Sequence, residues 1–93
     1  MVVGMVTWEC HLPGSQSLKD KRRVVKSLKD RLHNKFNVSV SETAHHELWQ
    51  RAELTCCIVG NEREHADKVL ESADDLVEGD PNVRIIDSSK QWL

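Results

Sequence analysis

From Val2 to Leu12 apolar and polar residues alternate. Val2, Val6, Trp8, Cys10 and Leu12 fall on one side, and Met5, Thr7, Glu9 and His11 on the other. A period of two belongs to a half-buried strand, and Pro13-Gly14 ends it. The period then changes. Ser17 is suited to cap a helix, and Asp20 stands three residues on, where a carboxylate meets the positive helix end. At about 100° per residue, Leu18, Val25, Leu28, Leu32 and Phe36 share one arc, with Val24 at its edge. This predicts an amphipathic helix over residues 17–36, left at Asn34 and Asn37.

The second half repeats the order. Residues 37–44 read as a strand with Val38 and Val40 inward and Ser39, Ser41 and Thr43 outward. His45 to Gln50 is a polar connection carrying one Leu and one Trp. Arg51 to Gly60 alternates again, with Ala52, Leu54, Cys56 and Ile58 against Glu53, Thr55, Cys57 and Val59. Asn61 is predicted to cap a second helix with Glu64 as its capping-box partner. Ala66, Val69, Leu70, Ala73, Leu76 and Val77 keep helical spacing, and Gly79 is read as the residue just past the helix end. Asp80-Pro81-Asn82 turns the chain into a fourth strand over residues 83–87. The pattern leaves 88–93 unassigned, although Trp92 needs something to pack on.

The order strand, helix, strand, strand, helix, strand, with one apolar face per helix, predicts an α+β chain of the ferredoxin-like split βαβ type. It would place two helices on one face of a four-stranded antiparallel sheet. The sheet's other face would carry Met5, Thr7, Glu9, His11, Glu53, Thr55, Cys57 and Val59. At 93 residues the chain is expected to form a single domain, 1–93.

Charge alters this plain picture. Residues 17–36 hold eight of the thirteen basic residues against Asp20 and Asp30, a net +6; the rest of the chain carries −8. The overall −2 therefore hides a dipolar molecule. Lys19, Arg22, Arg23, Lys26 and Lys29 form a stripe beside the apolar arc, with His33 alongside. Lys21 lies nearer the arc and is expected to lay its stem along the core edge. The second helix is acidic outside. A dense basic stripe suits a polyanion, RNA first, bound through phosphates; the plain alternative is a solvated helix face.

Three stretches carry a further signal: Val3-Gly4 through His11-Leu12-Pro13-Gly14, Ser17 to Arg23, and Leu48 to Leu54. With Phe36-Asn37-Val38-Ser39-Val40 they resemble the YlxP-like family of small bacterial proteins over most of residues 2–77. That family is a domain of unknown function, ferredoxin-like, and tends to be encoded beside translation and ribosome-maturation factors. The resemblance implies the same fold and a link to RNA or ribosome biology, and supplies no catalytic residues. The acidic second helix and the His45-His46 pair are read as particular to this chain.

The expected function is thus a non-catalytic binding protein for structured or ribosomal RNA. Lys19, Arg22, Arg23, Lys26 and Lys29 would hold phosphates, with Arg51 as a further RNA contact. His45, His46, Trp49 and Gln50 are candidate partner contacts; Trp49 either anchors a partner or caps the core edge. The alternative is a protein-interaction or homo-oligomerisation module, a dimer for instance, pairing through sheet edges or opposite-charged helices. Stacking of bases on sheet aromatics is not expected, since there is no Tyr and Trp8 faces the core. No Cys-x-x-Cys or His-x-x-x-His spacing points to a metal. Neither an activated thiol nor a Gly-rich phosphate loop points to catalysis, and no cofactor is expected. With no signal-like start and no long apolar run, the expected compartment is the cytoplasm, away from membranes.

Overall fold

The computed structural model describes residues 1–93. Its elements are β1 (Val2–His11), α1 (Leu18–Lys35), β2 (Ser39–Ala44), β3 (Arg51–Gly60), α2 (Arg63–Glu78) and β4 (Arg84–Trp92). The strands form one sheet in the order β2-β3-β1-β4, antiparallel at every junction. This is the ferredoxin-like βαββαβ arrangement, with both helices on one face.

The alternation in β1 and β3 decides which face the helices cover. Val6, Trp8 and Cys10 lie opposite Cys56, Leu54 and Ala52, and all six are buried. α1 places Val25, Leu28 and Leu32 on this layer. α2 adds Ala66, Leu70, Ala73 and Val77, its two alanines letting the helix lie close to the central strands. The Trp8 indole N–H, buried in this layer, donates to Asp74 of α2 at 2.5 Å, which satisfies the ring's single polar atom.

Four points differ from expectation. The fourth strand does not stop at Asp87 but runs to Trp92, pairing with β1 down to Gly4 around a bulge near Glu9 and Cys10. Its second half lacks an apolar pattern because it is held by backbone pairing, by Trp92 and by Lys90, whose ammonium donates to Asp67 of α2 at 2.7 Å. The Trp92 ring lies over Gly4, where a Cβ would meet it at 2.6 Å, and the Arg63 guanidinium covers the ring at 4.6 Å from the centroid. α2 is not capped by Asn61: its N-cap is Glu62, and no side chain caps it. The predicted capping box is therefore out of register by one residue. Gly79 ends α2 with φ −74° and ψ −9°, a right-handed close, not the left-handed one that favours glycine. The second strand begins at Ser39; Val38 packs on the core ahead of it.

α1 starts as expected. The Ser17 hydroxyl accepts from the Asp20 N–H at 3.0 Å, and the Asp20 carboxylate accepts from the Gln16 N–H at 3.0 Å. No helix is long and apolar enough to cross a membrane.

Candidate nucleic-acid interface

The inward residues of α1 orient the rest of it. With Lys21, Val25, Leu28 and Leu32 buried, helical geometry puts Lys19, Arg22, Lys26 and Lys29 along one flank. Val24, Ser27 and Arg31 fall on the other, with Arg23 between the flanks on the outer side. Arg31 is hydrogen-bonded to Asp80, in the turn after α2, so its flank faces α2. The basic flank therefore faces away from the acidic helix, on the side of the edge strand β2, which α1 contacts.

The eight cations of this run divide by partner. Lys21 and Arg31 are held by Glu42 and Asp80. Lys26 donates to Asp30 at 2.8 Å on the surface; this hydrogen bond raises the Lys26 pKa and lowers that of Asp30. Lys35 sits 5.7 Å from the centroid of the Phe36 ring. Lys19, Arg22, Arg23 and Lys29 have no carboxylate within ion-pair distance. The first three are exposed and Lys29 is half-buried. The predicted stripe thus lies together, with Lys26 shared with Asp30.

Lys21 is the residue whose role the sequence understated. Its side chain is 1% exposed, and its ammonium lies 2.9 Å from Glu42 Oε2. It also donates to the carbonyls of His45 at 2.7 Å, Arg51 at 3.2 Å and His46 at 3.4 Å. The aliphatic stem fits the apolar arc while the charge finds a cage of oxygens, the condition for burying a cation. Helical position hinted at the burial; the cage, made by residues more than twenty positions away, had no local signal.

The cage fixes the connection between β2 and β3. Gln50 adds two ties, its amide donating to the carbonyls of Ser15 at 3.1 Å and Pro13 at 3.3 Å, while Leu12 N–H donates to the Gln50 carbonyl at 2.9 Å. His45 takes φ 66°, uncommon outside glycine, and its Nε2 lies 2.7 Å from Glu9 Oε1. Arg51 donates to the same oxygen at 2.8 Å. The His46 ring lies 3.1 Å from the Glu42 carbonyl. Of the predicted contact residues, then, His45, His46, Gln50 and Arg51 are engaged within the protein. Trp49 is not: it is 53% exposed, beside Leu48 at 47%. With Glu47, Gln50 and Arg51 they line a shallow cavity of about 450 Å³.

The helix-free face of the sheet is mixed, with an apolar end at Val3, Met5, Cys57 and exposed Val59 and a polar middle. The Thr7, Thr55 and Thr43 hydroxyls stand 3.2 Å and 2.9 Å apart in a row, and Thr43 donates to Glu53 at 2.6 Å. Glu9 lies opposite both Glu53 and Asp87. This face carries no aromatic side chain. Nor does any cluster of His, Cys, Asp or Glu have the geometry to hold a metal ion. Burial pushes the thiols of Cys10 and Cys56 up to about 12.

Comparison with known proteins agrees with this picture at the level of fold and family. Residues 3–90 match the family described as "Protein of unknown function (DUF503)". The chain is 31% identical over 92 residues to the "Uncharacterized protein YlxP" of Bacillus subtilis (strain 168), covering 99% of this chain and 100% of the relative. Among solved structures, it resembles a de novo designed protein with a ferredoxin fold, determined by solution NMR. The TM-score is 0.56 at 15% identity, over 99% of this chain and 85% of the design. That likeness concerns the fold alone.

Proposed function

From the premise that this chain belongs to the DUF503 family, we propose that it is a non-catalytic cytoplasmic protein that binds structured RNA, ribosomal RNA first among the candidates. The observation that carries the reading is the flank of α1. In a chain with more carboxylates than cations, Lys19, Arg22 and Lys29 on one flank of α1 and Arg23 on its outer side are left without ion-pair partners. Lys26 stands among them, shared only with exposed Asp30. Unpaired cations in a row suit a phosphate backbone, where each contact releases counterions and makes binding salt-sensitive. Arg22 and Arg23 can each grip a phosphate through two N–H groups. A sheet face without Trp, Tyr or Phe argues for phosphate and shape recognition over base stacking on the sheet. The family resemblance points the same way through its link to translation factors.

The test is sucrose-gradient sedimentation of the tagged protein in lysate of its own host. Co-migration with a ribosomal subunit at low salt, and release at high salt, supports the proposal. Residence at the top of the gradient at low salt removes stable ribosome binding.

One observation favours a second reading. α2 presents Glu62, Glu64, Glu71, Asp75 and Glu78 to solvent in the same layer as the basic flank. A two-fold axis through this layer would set each α1 against its partner's α2, giving a homodimer by charge complementarity. Sedimentation equilibrium at low and high salt separates the two: a salt-independent monomer removes the dimer.

A further inference from the structure

We propose that Trp49 is a stacking platform for an unpaired base of the RNA whose phosphates the α1 flank holds. The target would then be a duplex interrupted by a bulge. This rests on the RNA-binding reading and adds to it the feature that selects among RNAs.

Four observations carry it. First, Trp49 is the only strongly exposed aromatic ring. Trp8 is wholly buried, Trp92 is covered by Arg63, Phe36 packs against the core, and there is no Tyr. Second, the ring stands on a fixed backbone. Lys21 ties down His45, His46 and Arg51, and Gln50 is tied to the chain before α1. A preordered aromatic loses little freedom when it is stacked upon.

Third, Lys21 clamps the loop to α1 at the level of the helix that carries Lys19 and Arg22. Fourth, two acids near the loop are already engaged within the protein: Glu9 by Arg51, with His45 Nε2 also 2.7 Å from the same oxygen, and Glu42 by Lys21. Glu47 alone is left exposed there. An apolar surface on a loop held to the cation-bearing helix, with Glu9 and Glu42 already engaged, complements a nucleobase joined to its phosphates.

The experiment uses two RNA hairpins of equal length closed by the same compact, self-stacked tetraloop, one with a fully paired stem and one with a single unpaired 2-aminopurine bulged from its stem. They are titrated with the wild-type chain and with Trp49→Ala, Trp49→Phe and Arg22→Glu/Arg23→Glu. The proposal expects the 2-aminopurine fluorescence to be quenched on binding. It expects Trp49→Ala to weaken binding of the bulged RNA about 5- to 150-fold, the range for losing one base–aromatic stack. Trp49→Phe should retain most of the affinity, and the paired hairpin should be indifferent to both. The ring makes no hydrogen bond, so an unchanged urea midpoint shows that the variants fold. If Trp49→Ala binds both hairpins like the wild type while the Arg22/Arg23 reversal loses them, the platform is wrong and the phosphate reading stands. The exposed Leu48-Trp49 surface would then fit a protein partner better. If the wild type binds neither hairpin, the RNA reading falls and this inference with it.

Discussion

The ammonium of Lys21 and the carboxylate of Glu42, 2.9 Å apart, form the most shielded ion pair in the protein, at 1% and 16% side-chain exposure. The pair joins α1 to the edge strand β2 and, through three carbonyls, to the start and end of the β2–β3 connection. Lys21→Met keeps the stem's volume and removes the charge, leaving Glu42 and the carbonyls facing an apolar group. We expect a loss of about 3 kcal/mol in urea unfolding, the low end for removing one member of a buried pair. Adding Glu42→Gln should recover part of it. Hydrogen exchange of residues 45–51 should quicken in both variants. An unchanged midpoint with unchanged exchange would mean that the clamp carries no stability.

Gly4→Ala places a methyl 2.6 Å from Trp92 Cζ3 and 3.1 Å from Leu70 Cδ1. The Trp92 ring has to give way, since Leu70 is fully buried. The expected cost is about 1–3 kcal/mol, as for other overpacked sites, with a red shift of Trp92 emission in a background where Trp49 is Phe. Trimming the ring by Trp92→Leu in the Gly4→Ala chain should return much of the loss.

Asp30→Asn frees Lys26 from its exposed partner. If phosphates bind the flank, this single change should tighten RNA binding several-fold and steepen its salt dependence, with little effect on folding. Weaker or unchanged binding would exclude Lys26 from the interface.

The buried thiols predict a pH limit. Cys10 and Cys56 are raised by burial from 9.0 to about 12, so the folded chain keeps two protons that the unfolded chain releases near pH 9. Their contribution is whole below pH 9 and lost as pH rises from there toward 12, at up to about 1.4 kcal/mol per pH unit for each thiol. Unfolding followed from pH 8 to 11 should show this fall, and Cys10→Ala/Cys56→Ala, though less stable at pH 8, should show a shallower one. In native protein a thiol reagent should find only half-buried Cys57; in denaturant it should find all three cysteines.

What the sequence disclosed follows the range of the forces involved. Alternation in β1 and β3 placed Trp8, Leu54 and Cys56 in the core, because one buried face imposes period two on every residue. The helical arc of Leu28 and Leu32 was legible for the same reason. β4 beyond Asp87 was not: Ser88 to Gln91 are strand only because β1 offers an unpaired edge, and Trp92 only because Gly4 leaves room. Asn61 is the better capping residue by type, yet the chain enters α2 one residue later, at Glu62. At the candidate site, the basic flank was visible as a stripe. The partners of the two cations outside the stripe were not, since Arg31 meets Asp80 and Lys21 meets Glu42 across the fold. Trp49 was recognised as a polar-loop Trp, but its exposure rests on a clamp that no local pattern reveals.

The central claim is that α1 binds RNA through phosphates. Its most direct test is the affinity of the wild-type chain for a structured RNA hairpin across a salt series, beside Arg22→Glu/Arg23→Glu/Lys26→Glu. With Lys19, Arg22, Arg23 and Lys29 unpaired and Lys26 available, we predict that log affinity falls with log salt at a slope of about −3 to −4. The reversal should abolish binding while leaving the urea midpoint near that of the wild type. A wild-type chain that binds with no salt dependence, or a reversed chain that binds as well as the wild type, would contradict it.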